Sequence, residues 1–414
     1  MKKLICLIAA IAVCMTCALG EGLHTREDVR AAYVAIADWH EGTPYLEEPL
    51  VTAPYAAGEI HEKALSDACD YLNFLRWLAY IDTPVSLSRI YNFQCQHGAT
   101  LLAANDRVSH DAPIAPGMDK NFYESAHNAT LSGNIAKFNW MRPSIIREGV
   151  EYFVRDDGDS NLPILGHRRW ALSPLMGSTG FGLANSESGM SYVVMYAHDF
   201  GAQDSEWSEV CWPSEGAFPA DFIHSDLAWS ITLNEDVYGI SMCMPEITLT
   251  EKESGLTFRF NPITGESDGF CVFSFENYGA GPCLIFRPDF SETDFTDYQQ
   301  NQRWTVRVDG LYDADGTPLP LEYTVDMISL YPQDPVNVEI SHLDAEISAG
   351  EVLALSAKVI PAYADDLSLS WRSTDESVAI VDENGLVTAI SPGKCEIIAS
   401  SINGREDYCA LTVN

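Results

Sequence analysis

Helical periodicity runs from residue 25 to about residue 155 and then stops. From about residue 205 to the end, only short strand-like runs remain, cut by Gly, Pro, Asp and Asn. No single layered core accommodates both halves, so the chain must be modular. The first helix spans 25–39, with Thr25 as N-cap and Glu27 and Asp28 in its first turn. A loop rich in proline (Pro44, Pro49, Pro54) follows. The second helix spans 60–81, where Ala64, Ala68, Leu72, Leu75 and Leu78 recur at helical spacing. A third spans 86–105 from Ser86, with Ile90, Phe93, Ala99 and Leu102 inward. A fourth starts at Pro143 and runs to about Arg155. Gly177–Gly182 reads as a turn region and 191–196 as a strand.

Beyond residue 205 the expected strands are 240–244, 246–250, 256–260, 270–275, 304–308 and 323–328, the pattern of a β-sandwich over 205–331. Pro332 and Pro335 stiffen a linker at 332–336. A last all-β unit fills 337–414. There Trp371 reads as a core plug and Gly385 and Gly393 as turn residues. Cys395 and Cys409 flank an Asn403-Gly404 turn. A two-residue loop there would set Cys395 opposite Thr412 and Cys409 opposite Ile398, leaving the two thiols out of register.

The formal charge of −36 excludes a phosphate backbone or an anionic lipid surface as partner. Residues 1–20 read as a signal peptide, with Lys2 and Lys3, an apolar run Leu4 to Val13, and small residues Ala18 and Gly20 before the cleavage point. No later stretch reaches about 18 apolar residues, so no transmembrane segment is expected in the mature chain. Of eleven cysteines, Cys6, Cys14 and Cys17 leave with the signal, and the remaining eight are too sparse for a disulfide scaffold.

The residues able to carry chemistry are His110, in Ser109-His110, and His167, in Gly166-His167-Arg168-Arg169-Trp170. Two neutral imidazoles and a carboxylate can hold Zn²⁺ or another divalent ion with positions left for water. They can equally form a metal-free acid–base pair, or simply hold loops together. Arg76 reads as one half of a buried ion pair, Arg168 and Arg169 as carboxylate partners, and Trp170 as a packing residue. Asp157 to Asn161 reads as a polar turn, and Gly265-Glu266-Ser267-Asp268-Gly269 as a hairpin turn. Nucleotide-binding glycine words are absent.

Asn73 to Arg76, Ser109-His110, Gly133-Asn134-Ile135-Ala136, Phe153 to Asp156 and Gly166 to Trp170 together resemble the CAP superfamily (the SCP-like, cysteine-rich secretory proteins) in its bacterial branch, over about 60–200. The resemblance implies an α-β-α sandwich and a cleft that gathers two histidines and two acids. These would be His110, His167 and Asp156, with Glu148 and Glu151 as nearby alternatives. Asn73, Arg76, Ser109, Asn134, Arg168 and Trp170 would stand around the cleft. The glutamate of the family's third word has no counterpart, since Gly133 or Asn134 stands there. The tail, through Leu369-Ser370-Trp371, Ser373 to Ala379, Gly385 to Ala389 and Pro392-Gly393, resembles the group 2 bacterial Ig-like domain.

The expected architecture is therefore multidomain: signal peptide 1–20, N-terminal helix and loop 21–59, α/β unit 60–200, β-sandwich 205–331, linker 332–336 and Ig-like unit 337–414. The expected function is a secreted or cell-surface protein that binds an extracellular ligand, whether a small apolar molecule, a glycan or a protein. The alternatives are a metal-assisted hydrolase of peptide or cell-wall material and a structural envelope protein without an active site.

Overall fold

The computed structural model describes residues 22–414; the signal peptide expected at 1–20 lies outside the described residues. Helix α1 (Arg26–Ala35) starts as expected, with Thr25 and Asp28 closing a reciprocal capping box. Helices α2 (Glu62–Leu78), α3 (Arg89–Asn105), α4 (Lys120–Leu131), α5 (Ile145–Arg155) and the short α6 (Gly166–Ala171) follow. Three antiparallel strands form a sheet in the order Gly133–Phe138, Ser191–Tyr196, Phe181–Asn185.

Alternation along the central strand sorts the helices into layers. Val193 and Met195 join the core of α2 and α5, while Tyr192, Val194 and Tyr196 join that of α3 and α4. The sheet thus carries helices on both of its faces.

The strand Phe181–Asn185 has an open edge, and α3 closes it. The Phe181 N–H donates to Asn92 Oδ1 and the Leu183 N–H to Gln96 Oε1, each at 2.9 Å. Gln96 Nε2 donates back to the Leu183 carbonyl at 2.8 Å. Side chains of one helix stand in for a missing strand, so the edge is paired. Gly180 and Gly182 allow the approach, because a Cβ on either would collide with the α3 backbone. They serve close packing, and the turn expected at 177–182 is instead two strands, Ser178–Thr179 and Phe181–Asn185.

The helix α3 begins after Ser88, whose side chain caps it, and not after Ser86, which lies in a short strand. Ile90 and Phe93 are 67% and 56% exposed, so their expected inward placement is wrong. The true inner stripe is Asn92, Cys95, Gln96 and Ala99, a phase masked in the sequence by its polar members.

Residues 205–330 form two packed sheets. One runs Gly269–Ser274, Cys283–Pro288, Trp229–Leu233, Glu209–Trp212; the other runs Thr257–Phe260, Glu246–Glu251, Arg303–Asp309, Leu321–Ile328, Gly216–Pro219. The strand expected at 240–244 is a 3₁₀ turn, Ile240–Met242. Four strands escaped the sequence reading: Glu209–Trp212, Gly216–Pro219, Trp229–Leu233 and Cys283–Pro288. The Trp229–Leu233 strand is buried at every position, although its residues alternate between apolar and polar. Its second face is covered because the α/β unit packs against this sheet. One apolar cluster joins Leu72 and Phe153 to Trp229 and Trp304. The change near residue 205 is therefore a change of secondary structure without a break in packing.

Residues 337–414 have their own core, with Trp371 packed against it. Gly385, at φ +78°, lies so close that a Cβ would come 2.9 Å from the Trp371 ring. The Cys395–Cys409 hairpin turns through residues 402–404, not through two residues. This pairs Cys395 with Leu411 and Ile397 with Cys409, so both cysteines share one face and both remain free thiols.

A carboxylate fastens this unit to the rest. Asp365 accepts from Arg30 Nη1 and Nη2, both at 2.8 Å, from Gln300 Nε2 at 2.7 Å and from the Gln333 N–H at 3.2 Å. Burial alone would raise its pKa, but the hydrogen bonds from Arg30, Gln300 and Gln333 outweigh that, and the net shift is downward. A depressed carboxylate pKa stabilises above its unfolded value, about 3.9, and the stabilisation is lost as pH falls through the folded value. Hydrogen exchange at the Gln333 amide should accelerate sharply only below about pH 4. In Asp365→Ala it should already be fast at neutral pH; an unchanged rate there would contradict the role assigned to Asp365.

Candidate functional site

Helix α5 ends at Asp156 in the left-handed region (φ 50°, ψ 47°), which turns its carboxylate back under α6. Asp156 Oδ1 accepts from Asn161 Nδ2 at 2.7 Å and lies 3.0 Å from His167 Nδ1, while Oδ2 accepts the Arg168 N–H at 3.2 Å. His167 Nδ1 also lies 2.8 Å from Asn161 Nδ2, so two side chains hold the ring through Nδ1 and leave Nε2 for the cleft. Leu165, which precedes α6, is also left-handed at φ 44° although buried. Two non-glycine residues in this sparsely populated region bracket one loop, a form of strain that gathers at functional sites.

His110 is anchored in the same manner from the other side. Its Nδ1 is 2.7 Å from the Thr130 carbonyl, and Thr130 Oγ1 donates to the His110 carbonyl at 2.9 Å. Both imidazoles thus have Nδ1 occupied and Nε2 available. They line one cleft of 250 Å³ with Asn134, Trp170, His198 and Tyr278 among its walls. Asn134 Nδ2 donates to the His167 carbonyl at 2.9 Å, tying the sheet to α6. The His198 ring lies 4.1 Å from that of Trp170, tilted by 34°. Burial first, and the charge of His110 second, hold its pKa below the usual imidazole value.

The other expected members stand elsewhere. Glu148 accepts from Trp140 Nε1 and Ser144 Oγ, and Glu151 accepts from the Tyr71 hydroxyl at 2.8 Å, so neither carboxylate lines the cleft. Asn73 pairs with both backbone groups of Val85. Ser109 is half-buried beside His110 but is not part of the cleft wall.

Arg76 forms no ion pair. Its guanidinium donates to the carbonyls of Ala171, Ser173, Thr83 and Met176, which holds the end of α6, and burial pulls its pKa down to about 9. Arg168 likewise donates to carbonyls, those of Val154, Arg155 and Ala228, and to Ser230 Oγ. Arg169 reaches the carbonyls of Ile164, Glu276 and Gly281 and Ser274 Oγ, again without a carboxylate.

The donor set does not complete a three-ligand metal centre. Asp156 stands behind His167 on Nδ1 and so cannot share an ion bound at Nε2. Among the described residues no group of three or more His, Cys, Asp or Glu side chains is placed to hold a metal ion.

Three contributors escaped the sequence reading. Asn161 reads as part of a polar turn, which it occupies while also bracing His167 both directly and through Asp156. His198 follows the Ser191–Tyr196 strand without any motif. Tyr278 belongs to the neighbouring sandwich, and its ring would meet a Gly166 Cβ at 3.0 Å, so only the fold brings it to the site.

Residues 336–409 match the bacterial Ig-like domain, group 2, and this part of the chain is such a domain. The chain is similar to 3-O-alpha-D-galactosyl-alpha-L-arabinofuranosidase of Bifidobacterium longum subsp. longum, 41% identical over 71 residues, 17% of this chain and 6% of that protein. It is also similar to Lacto-N-biosidase of Bifidobacterium bifidum, 36% identical over 67 residues, 16% of this chain and 6% of that protein. This chain therefore spans only a small part of the length of either relative. Among solved structures, the N-terminal part of the bacterial S-layer protein SbsC overlays 45% of this chain and 41% of its own at 13% identity and TM-score 0.18. The C-terminal fragment of intimin, solved with the Tir intimin-binding domain, overlays 51% of this chain and 64% of its own at 15% identity and TM-score 0.15. Among the described residues, no helix is long and apolar enough to cross a membrane.

Proposed function

We propose that this chain is an extracellular, modular binding protein whose α/β unit is a CAP module and whose ligand is held between His110 and His167. The observation that carries the reading is the paired anchoring of the two imidazoles through Nδ1 at one cleft. The group 2 Ig-like domain supports a modular surface protein that displays such a cleft. The three-layer arrangement around the strands at 133–196 supports the CAP reading.

A second reading has one specific observation in its favour. A histidine backed by a buried carboxylate is a positioned general base, and His110 across the cleft would be its acid partner. Metal-assisted hydrolysis is the less favoured route, because the donor set lacks a third ligand.

Asp156→Asn keeps the shape of the loop but removes the charge behind His167. It should weaken ligand binding by about 10- to 100-fold, the equivalent of one charge-assisted hydrogen bond. Unchanged affinity, measured by titration calorimetry on any ligand the wild type holds, would remove Asp156 from the site. Turnover of a peptide or glycan library that is lost with His167→Ala would favour the enzymatic reading.

A further inference from the structure

A trough of 640 Å³ lies where the β-sandwich meets the Ig-like domain. Its volume falls within the roughly 300–1,000 Å³ of small-molecule sites. One wall is the segment Gln299 to Gln302, and the facing wall carries Tyr363, whose ring is 42% exposed. A second cavity of 550 Å³ has Glu253, Asn301 and Gln302 in common with it as lining residues.

The trough is held in shape from both sides. Gln300 Nε2 donates to the Tyr363 carbonyl and to Asp365, and Asn301 Nδ2 donates to the Ala364 carbonyl at 2.9 Å. Asn301 occupies the left-handed region at φ 70°. A non-glycine residue held there is paid for by the contacts around it.

Along the rim of this fixed frame, exposed planar polar groups face solvent. The carboxylates of Glu253 and Asp294 and the Gln299 side-chain amide make no hydrogen bond to any described residue. Gln302 uses only its oxygen, accepting from the Gln299 N–H at 3.0 Å, so its NH₂ is free. Phe295 and Tyr363 add aromatic faces beside them.

We propose that this trough binds a neutral oligosaccharide. The carboxylates and the Gln299 oxygen accept from sugar hydroxyls, the free amide NH₂ groups donate to them, and the Tyr363 ring supplies a flat apolar face for the C–H side of a sugar ring. Acidic sugars are rejected by Glu253 and Asp294 within a chain of charge −36. Because Asp365 and its partners fix the two walls beforehand, little ordering is left to oppose binding.

The test is an array of neutral oligosaccharides, acidic oligosaccharides and lysine-rich peptides, probed with residues 22–414 as wild type, Tyr363→Ala and His110→Ala/His167→Ala. The expected result is binding to neutral oligosaccharides, about tenfold weaker in Tyr363→Ala and unchanged in the double histidine variant. That last comparison separates this site from the histidine cleft. Capture of lysine-rich peptides alone, capture of acidic sugars as well as neutral ones, no saccharide held at all, or saccharide binding indifferent to Tyr363→Ala would each overturn the proposal. Circular dichroism and melting of Tyr363→Ala, expected to match wild type because the ring is exposed, guard against a folding artefact.

Discussion

Arg168→Ala is expected to lower the free energy of unfolding by about 3–5 kcal/mol, a large part of the roughly 5–15 kcal/mol available to a typical protein. The guanidinium is buried, and no carboxylate meets it. Its charge is instead solvated by the Val154 and Arg155 carbonyls at the end of α5, by the Ala228 carbonyl and by Ser230 Oγ. Helix C-termini are electronegative, so the last two carbonyls of α5 are good acceptors for a cation. Burial is still unfavourable to the charge and pulls the pKa down to about 10.

Truncation relieves that burial but strands several acceptors in the interior at once, and each stranded group costs about 1–3 kcal/mol. Arg168→Lys should recover little, since an ammonium cannot span the fork that reaches α5 and the Trp229–Leu233 strand together. Urea unfolding followed by circular dichroism measures the effect. A loss below about 1 kcal/mol would mean that water replaces the guanidinium and that the two units are less tightly joined than the contacts imply.

Gly182→Ala is expected to destabilise by about 3 kcal/mol or more, or to prevent folding of the α/β unit. A Cβ there would lie 2.0 Å from the Cys95 carbonyl oxygen and 2.5 Å from the Gln96 nitrogen. Both are backbone atoms in the middle of a helix, so relief requires the whole of α3 to move away. That motion would break the bonds from Asn92 and Gln96 that close the sheet edge. Gly158→Ala is the control, because its Cβ would meet nothing within 4 Å, and it should change stability by less than about 0.5 kcal/mol. Equal melting temperatures for the two variants would show that α3 can slide without loss, contrary to the edge-closing role given to it.

The two histidines were legible because each stands in a distinctive local word. Their placement on one cleft is a consequence of the fold, which brings the loop after α3 to the start of α6. Asp156 was also legible, but its role was not. Only the left-handed turn at the end of α5 puts its carboxylate behind His167 instead of beside it. Glu148 and Glu151 were close in sequence but point to Ser144 and Tyr71, because helix α5 turns its Ile146, Val150 and Phe153 face to the core. The arginines were misread for a general reason. Local sequence says that a charge is buried, whereas its partners, here main-chain carbonyls from distant segments, carry no residue signature.

Strand recognition failed for a related reason. Period-two alternation reports a sheet with one wet face. Where both faces are covered, as at Cys283–Pro288 with its unbroken Leu284-Ile285-Phe286 run, the signal disappears. The helix phase of α3 failed because Asn92 and Gln96 point inward to complete a sheet, while apolar Ile90 and Phe93 are left outside.

The central claim is that His110 and His167 form one ligand site through their free Nε2 atoms. It is tested most directly by an affinity selection with residues 22–414 against small apolar molecules, glycans and proteins, run in parallel with His110→Ala/His167→Ala. Circular dichroism must first show that the variant is folded. The account predicts at least one ligand retained by the wild type and weakened at least about tenfold in the variant, the loss expected when a ligand-contacting polar group is removed. Identical retention profiles for the two proteins would contradict it and leave the histidines as parts of the scaffold.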